Sequence, residues 1–488
     1  MTEYWQEHSK DASVEEMMLD TSASELTREE TPEILSYLPD YRRKTVLELG
    51  AGIGRFTAEI AKSAEKVIAV DFMESFLNKN REDNGHLGNI EFVAADVTKL
   101  EQPEESLDLI FSNWLLMYLD DDEVQSLFRK QLGWLKPGGY LFLRESCHQQ
   151  SGDKMRRMNP TQYRDPEKYE AFYSSVTQPC DSDNIYGYDL VVSKSVETYV
   201  KLKNNQNQVL WLVQKVKKDK ASNQGYKSFQ EFLDSKQYSL RSILLYERIF
   251  GYTFVSTGGI ETTKEFVQML NLKPGQKVLD VGGGIGGGAI YMSKNFGVKV
   301  TSVDLSSNMT QIGRQRAKEA GVTSDQVQFE VADATKREYP DESFDVVYSR
   351  DTILHIADKL ALFKMFYSFL RPGGKLLISD YCCSPEEHSE QFKAYVKQRG
   401  YILLSPEAYG KTLEQAGFVN VRAEDRSKQF ADILKTEIAK TESSKEKFIA
   451  DFDENGYNSI VNGWKEKLGR VEMGDQRWGL FYAEKPCN

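Results

Sequence analysis

The stretch VLELGAGIG, Val46–Gly54, is answered further along the chain by VLDVGGGIG, Val278–Gly286. Each is a short apolar run broken by one acid, Glu48 or Asp280, and followed by a GxGxG loop. Such a run reads as a β-strand that delivers the chain into a tight turn and a helix N-terminus. Glycine is required there because the loop needs positive φ and a close approach of backbone to ligand. The spacing is not the GxGxxG of dinucleotide enzymes, so the ligand need not carry a pyrophosphate. An acid in front of the loop suits the α-amino group of an amino-acid-like ligand.

Outward from these loops the landmarks keep their order. VIAVD ends at Asp71 and VTSVD at Asp304, while Asp96 and Asp333 follow in FVAADVT and EVADAT. DLIFSNWLLMY, Asp108–Tyr118, answers DVVYSRDTILH, Asp345–His355, and WLKPGGYLFLRES answers FLRPGGKLLISDY. The offset stays between 232 and 237 residues, which marks an internal duplication. β-branched and apolar runs alternate with amphipathic stretches of helical length, so each half is expected to build βαβ units around a parallel sheet covered on both faces. The expected fold is α/β, with two tandem Rossmann-like domains, residues 1–220 and 221–488, each a mostly parallel sheet flanked by helices. QVLWLVQKV and RWGLFYAEK close their halves as further strands. The join is expected in the polar, Lys-rich run Lys215–Gly225. The Tyr-rich stretch from His148 to about Ser193 stands where a substrate lid would sit.

Composition narrows the class. At 488 residues the chain has room for two or three domains of about 150 residues. Hydrophobic residues are 40% and charged residues 28%, a globular balance. A net charge of −12 argues against nucleic acid and anionic membranes as partners. No window approaches ~18 uninterrupted apolar residues, so no membrane span is expected. The opening MTEYWQEHSK lacks a basic-then-apolar leader, so a cytoplasmic protein is expected, and one that acts as a monomer on a small molecule. The five cysteines show no CxxC spacing, so neither a disulfide framework nor a metal site is indicated.

Three acids in register, twice, carry the ligand reading. Glu48 or Asp280 precedes the glycines. Asp71 or Asp304 follows about twenty residues on, at the distance that suits ribose hydroxyls. Asp96 or Asp333 suits an adenine amino group. Together they resemble the class I methyltransferases, whose cofactor is S-adenosylmethionine. Methyl transfer to an amine needs an oriented, deprotonated nucleophile, and so a general base. His355 stands just after the fourth strand of its half, where such a sheet binds substrate. Asp351 lies four residues earlier, so both are expected on one helix face with the carboxylate orienting the ring. The first half has Trp114 and Tyr118 at these places. Its base stays open between His8 and Tyr118 acting with a water. For an anionic group, the second half offers Tyr381, Tyr395, Arg399, Tyr401 and Lys467, since arginine gives bidentate donors and phenols neutral ones. The first half offers Tyr163 and Arg164, with Lys201 or Lys203 in place of Lys467. The polar segments ahead of each loop, EYWQEHSKDASVEEMML and FLDSKQYSLRSILLYERIFG, are expected to form helices that close over the bound cofactor.

Longer matches are more specific than any glycine loop. EYWQEHS, VEEMMLD, FSNWLLMYL, RESCHQQSGD and NPTQYRDP in the first half, with LLYERIFGYTFVSTGG, YSRDTILHI, AYVKQRGY and DQRWG in the second, resemble the phosphoethanolamine N-methyltransferases in their two-domain form, best known from plants. The resemblance spans nearly the whole chain. It implies three successive methylations of phosphoethanolamine to phosphocholine, the first in the N-terminal half and the later ones in the C-terminal half. It places a catalytic Tyr–His pair on Tyr238 and His355, with Gln237, Tyr246 and Asp351 around the amine. Cofactor contacts fall on Ser256, Gly282, Asp304, Leu305, Asp333, Ala334 and Arg350, and in the first half on Glu48, Gly50, Gly52, Asp71, Asp96, Val97 and Asn113. The alternatives are a methyltransferase for another small amine, and a chain in which one half is a non-catalytic regulatory module.

Overall fold

The computed structural model describes residues 4–5, 13–153, 160–219, 230 and 233–487. The chain divides into two compact units, residues 1–229 and 230–488. The expected boundary near residue 220 and the candidate base His8 both lie outside the described residues.

In the first unit, strands β1 (Thr45–Leu49), β2 (Lys66–Asp71), β3 (Ile90–Ala94), β4 (Leu107–Asn113) and β5 (Leu135–Ser146) are parallel and lie in the order β5-β4-β1-β2-β3. The sheet is extended beyond β5 by β8 (Gln208–Asp219) and then β7 (Asn184–Ser195), both pairings antiparallel, with the short β6 (Thr177–Pro179) on β7. The second unit repeats the plan. Parallel strands β9 (Lys277–Val281), β10 (Lys299–Asp304), β11 (Val327–Ala332), β12 (Phe344–Arg350) and β13 (Leu370–Cys383) run β13-β12-β9-β10-β11. The last strand, β15 (Gln476–Glu484), inserts antiparallel between β13 and β14 (Val419–Asp425).

The central strands are buried on both faces, as their unbroken apolar runs require. Val46, Leu47, Ile110 and Phe111 are fully buried in one unit, and Val278, Val347, Leu376 and Ile378 in the other. The helix Asp121–Trp134 starts on a reciprocal cap in which Asp120 accepts from the Glu123 amide and Glu123 accepts back from Asp120. It stops as the KPGG turn is reached, and the matching helix Lys359–Phe369 stops at RPGG.

Two sequence expectations are corrected. Lys215–Asp219 is not linker but the end of β8, paired along its length with β7. Lys215 is buried and donates from Nζ to the Leu135 carbonyl at 2.8 Å, so a lysine-rich run still supplies a strand when one cation finds a buried acceptor. Much of the stretch expected as a lid is regular structure: the helix Pro166–Ser175 and β6 and β7, which cover the β8 edge. Among the described residues no helix is long and apolar enough to cross a membrane.

Candidate active sites

The two glycine loops adopt one conformation. Gly50 and Gly282 both have φ +71°, and Gly52 and Gly284 have +53° and +54°. A side chain here would be strained by φ and would also collide: a Cβ on Gly52 would lie 2.4 Å from Met17 Cε, and one on Gly282 2.0 Å from Thr352 Oγ1. The acid ending the second strand braces each loop. Asp71 accepts from the Gly52 amide at 2.9 Å and from Met73 at 2.8 Å, while Asp304 accepts from Gly284 at 3.0 Å and Ser306 at 2.9 Å. The acids before the loops are buried, and burial pushes Glu48 up to about 8 and Asp280 to about 7. Glu48 accepts from the Thr57 hydroxyl at 2.5 Å, and Arg55 near Glu48 and Arg350 near Asp280 offset only part of the rise. Asp96 and Asp333 each hold a threonine two residues on, by its amide and its hydroxyl. Ser256, Leu305 and Ala334 are half-buried. Arg350 spends its guanidinium inside the fold, on Ser379, Thr263, Tyr348, Thr257 and Thr262, so only its main chain is left for a cofactor.

In the first unit the acids line a cavity of about 680 Å³, together with Val97, Asn113, Trp5, Trp114, Tyr118 and Tyr163. Trp5 meets the Tyr118 ring edge-on at 5.5 Å, which packs the N-terminal segment against the turn after β4. Gln208 ties the polar wall together. It donates to Ser146 at 2.9 Å and Ser151 at 2.6 Å and accepts from the Trp114 indole at 2.7 Å. Arg55 reaches the same cavity but is paired with the buried Glu30.

Arg164 is not at an anion site. It is buried and donates to the Leu116 and Leu119 carbonyls, to Gln162 and to Asp121. Its neighbour Gln162 bonds to Met117 O as Ile402 bonds to Leu354 O in the second unit, so the spacing from the tyrosines is shifted and the guanidinium turns under the fold. Lys203 is likewise engaged, with Asp20 at 2.8 Å, and Lys201 is exposed.

In the second unit the expected residues converge. His355 meets the Tyr401 ring at 5.1 Å, and Tyr401 meets Tyr395 at 5.8 Å. Arg399 lies 5.9 Å from the Tyr395 ring and near Tyr246. Lys467 donates to the Tyr381 hydroxyl at 3.3 Å. Gln237 donates to the Tyr238 hydroxyl at 3.1 Å, and Tyr238 packs against the buried cluster of Ile243, Ile285, Met309 and Ile312. The segment before that loop is helical, Leu233–Gln237 and Leu240–Phe250. It is pinned by Asp234, which accepts from Ser306 and Ser307 after β10.

Charge and burial tune these groups. Burial, with Lys359 and Arg399 nearby, pushes His355 down to about 4, so the ring is neutral. Burial also brings Lys467 down to about 8. Sequence reading missed Arg470, whose guanidinium stacks 3.7 Å over the Tyr395 ring. Its only signal was position, six residues before β15.

The expected His–Asp pair is not formed. Asp351 takes φ +51° and the chain beyond it makes only a one-turn 3₁₀ helix, Ile353–His355, so the four-residue spacing does not align the two side chains. The Asp351 carboxylate instead accepts from the Thr257 amide at 2.9 Å, the Trp478 indole at 2.9 Å and Ser379 at 3.2 Å.

Comparison with known proteins follows the same division. One methyltransferase-domain model matches residues 46–139 and another matches residues 260–423. Phosphoethanolamine N-methyltransferase 3 of Arabidopsis thaliana is 55% identical over 484 residues, which is 99% of this chain and 97% of that protein. Phosphoethanolamine N-methyltransferase of Triticum aestivum is 54% identical, with 99% and 94% covered. A solved structure of Haemonchus contortus phosphoethanolamine N-methyltransferase 2, in complex with phosphomonomethylethanolamine and S-adenosylhomocysteine, is 28% identical with a TM-score of 0.74 over 94% of this chain and 99% of its own. Similarity of this strength covers 99% of the chain and so takes in both units, and the chain belongs to the phosphoethanolamine N-methyltransferase family.

Proposed function

We propose that the chain methylates phosphoethanolamine three times to give phosphocholine, with the first transfer made in the first unit and the later two in the second. The observation that carries this reading is the second-unit cluster. One neutral histidine stands beside Arg399, Lys467 and four tyrosines, a set that can hold a phosphate at one end and a small amine at the other.

S-adenosylmethionine, once bound, supplies an electrophilic methyl group. Each loop fits it: a buried acid for its amino group (Glu48, Asp280), a braced aspartate for ribose (Asp71, Asp304) and a third acid for adenine (Asp96, Asp333). Arg399, Lys467 and the hydroxyls of Tyr381, Tyr395 and Tyr401 anchor the phosphate by charge-assisted hydrogen bonds. The anchor stays fixed while the amine end grows. His355 is held neutral chiefly by burial, with Lys359 and then Arg399 adding to the effect. A phosphate bound at Arg399 offsets the Arg399 part, so the ring's affinity for a proton rises when substrate is present. The ring is then poised to take the ammonium proton before transfer. Tyr238, set by Gln237 over the loop, and Tyr246 flank the amine and favour the cationic product through their ring faces. Asp351 positions the Thr257 strap and Trp478 around this site.

In the first unit Trp5, Trp114 and Tyr118 form the aromatic wall for the amine. Ser146, Ser151 and Gln208, bonded to one another, form an uncharged polar wall beside it. The test is mass-resolved product analysis of the two portions of the chain, expressed separately, with phosphoethanolamine and its mono- and dimethyl forms. The first portion is expected to stop at the monomethyl product and the second to need that product as its substrate. All three transfers from the first portion would overturn the division.

A further inference from the structure

The turn after the fourth strand is gripped in the same way in both units, by residues from unrelated places in the chain. In the first unit Arg164 donates from Nη1 to Leu116 O at 3.0 Å and from Nη2 to Leu119 O at 2.6 Å. In the second, Lys359 donates from Nζ to Ile353 O and Ile356 O, both at 2.8 Å. Leu116 and Leu119 precede Ile353 and Ile356 by the same 237 residues that separate Tyr118 from His355, so the same two carbonyls are bound.

The backbones of the two turns agree. Trp114 and Asp351, at φ +55° and +51°, each donate to a carbonyl of the neighbouring strand at 2.8 Å, Arg144 O and Ser379 O. The Leu119 amide reaches Leu116 O at 3.1 Å, and the Ile356 amide reaches Ile353 O at 2.9 Å. A buried carboxylate stands near the end of the fifth strand in each unit. Glu145 accepts from the turn amides of Leu115, Leu116 and Met117 at 3.2, 2.8 and 3.1 Å. Asp380, at the same place, accepts instead from the Tyr381 amide at 3.1 Å and the Tyr409 hydroxyl at 3.3 Å. Both carboxylates are fully buried, and Arg164 and Lys359 are each 4% exposed.

The cation is not inherited by position. Where the second unit has Lys359 the first has Asp122, and Arg164 arrives from a segment more than forty residues further on. Burying a cation is costly unless its donors are satisfied. That two different residues are placed at one spot points to what they hold.

We propose that Arg164 and Lys359 are positioning residues for methyl transfer: each clamps the turn that presents Tyr118 or His355 to the acceptor, helped in the first unit by Glu145 from the opposite side. This rests on the reading that those turns face the acceptor.

The test uses the full chain with phosphoethanolamine and its mono- and dimethyl forms supplied separately. Asp71→Ala and Asp304→Ala each disable one unit through its cofactor loop, and so report which steps that unit performs whatever the clamp does. If they fail to separate the steps, the division of labour is at fault, and each clamp variant is judged on the steps its own unit's reference variant impairs. Lys359→Met is expected to lower kcat for its unit's steps by about 10- to 100-fold, the scale of an ångström-sized misplacement, with KM for both substrates within threefold. Arg164→Met does the same in the first unit. Lys359→Arg and Arg164→Lys keep a cation under the turn and recover part of the loss. An unchanged kcat, or a fall in kcat matched by lost affinity for S-adenosylhomocysteine in calorimetry, overturns the proposal. If a methionine variant does not fold, the conservative variant decides: an intermediate kcat at unchanged KM supports the clamp, and a wild-type kcat rejects it.

Discussion

Between β14 and β15 of the second unit lie three helices, Ser427–Ser443, Lys445–Asp451 and Glu454–Glu472, whereas the matching interval between β7 and β8 of the first holds the single seven-residue helix Glu197–Lys203. Lys467 and Arg470 both stand on the last of those three helices. Trp464, on the same helix, packs against Tyr246 at 6.1 Å and Phe250 at 5.4 Å, which docks it on the helix ahead of the glycine loop. One insertion therefore brings Lys467 and Arg470 beside the cluster that holds Arg399, together with the prop for the aromatic wall. The first unit has the same sheet and the same loops without the insertion, and its cavity wall carries serine and glutamine where the second has tyrosine and lysine. A duplicated framework can thus keep the conformation of its glycine loops while the walls beside them diverge.

The sharpest way to break this contrast is His355→Ala. The later methylations are expected to fall by about 10²–10⁴-fold, the usual weight of a general base, while monomethyl product still accumulates. Normal phosphocholine output from that variant would remove the histidine from the chemistry. Next in size are Arg399→Ala and Lys467→Met. Each loses a charged hydrogen bond of about 1.5–3 kcal/mol, so kcat/KM for the mono- and dimethyl substrates should drop by roughly 10- to 100-fold. An equal drop in the first methylation would show that both units share one anion site.

A pH series sharpens the comparison further. Lys467 sits at about 8 because burial disfavours its charge, so it is cationic below that pH and neutral above it. Second-unit kcat/KM is expected to decline as pH rises through about 8, and the first methylation should lack this limb. The smallest effect is on stability. Glu48 is raised from 4.5 to about 8 by burial, so the folded state holds its proton more tightly than the unfolded chain. Stability falls as pH climbs between those values and levels off above the upper one. Glu48→Gln removes that dependence. It should raise the melting temperature at pH 8 by about 2–4 °C while abolishing cofactor binding in the first unit, which differential scanning calorimetry and titration calorimetry would read separately.

The parts legible in the sequence were those fixed by local chemistry. Gly50 and Gly282 announce a positive φ, β-branched runs announce buried strands, and the acids that follow keep a spacing dictated by the βαβ unit. The anion cluster was readable because AYVKQRGY keeps its aromatic and cationic residues within one short segment. The misread parts depend on distant partners. Lys215 belongs to a strand because a carbonyl at residue 135 accepts from it. Arg164 looks like an anion ligand until Leu116 and Leu119 are seen to occupy it. Asp351 and His355 have helical spacing, but the left-handed conformation at Asp351 breaks the helix, and only the Trp478 indole and Thr257 amide show where the carboxylate points.

One exchange between the units has a consequence for how such a chain can be re-engineered. On the rung where the fourth and fifth strands end, Asn113 pairs with Arg144 in the first unit and Arg350 with Ser379 in the second, and in each case the guanidinium bonds across to its neighbour. The arginine has swapped strands. A chimera that transplants only one of the two strands would place two guanidiniums on a single rung, or none, whereas moving the pair together preserves one. The modules that can be shuffled between the two copies are therefore strand pairs, and a crossover point between them should yield insoluble protein even though each segment comes from a stable parent.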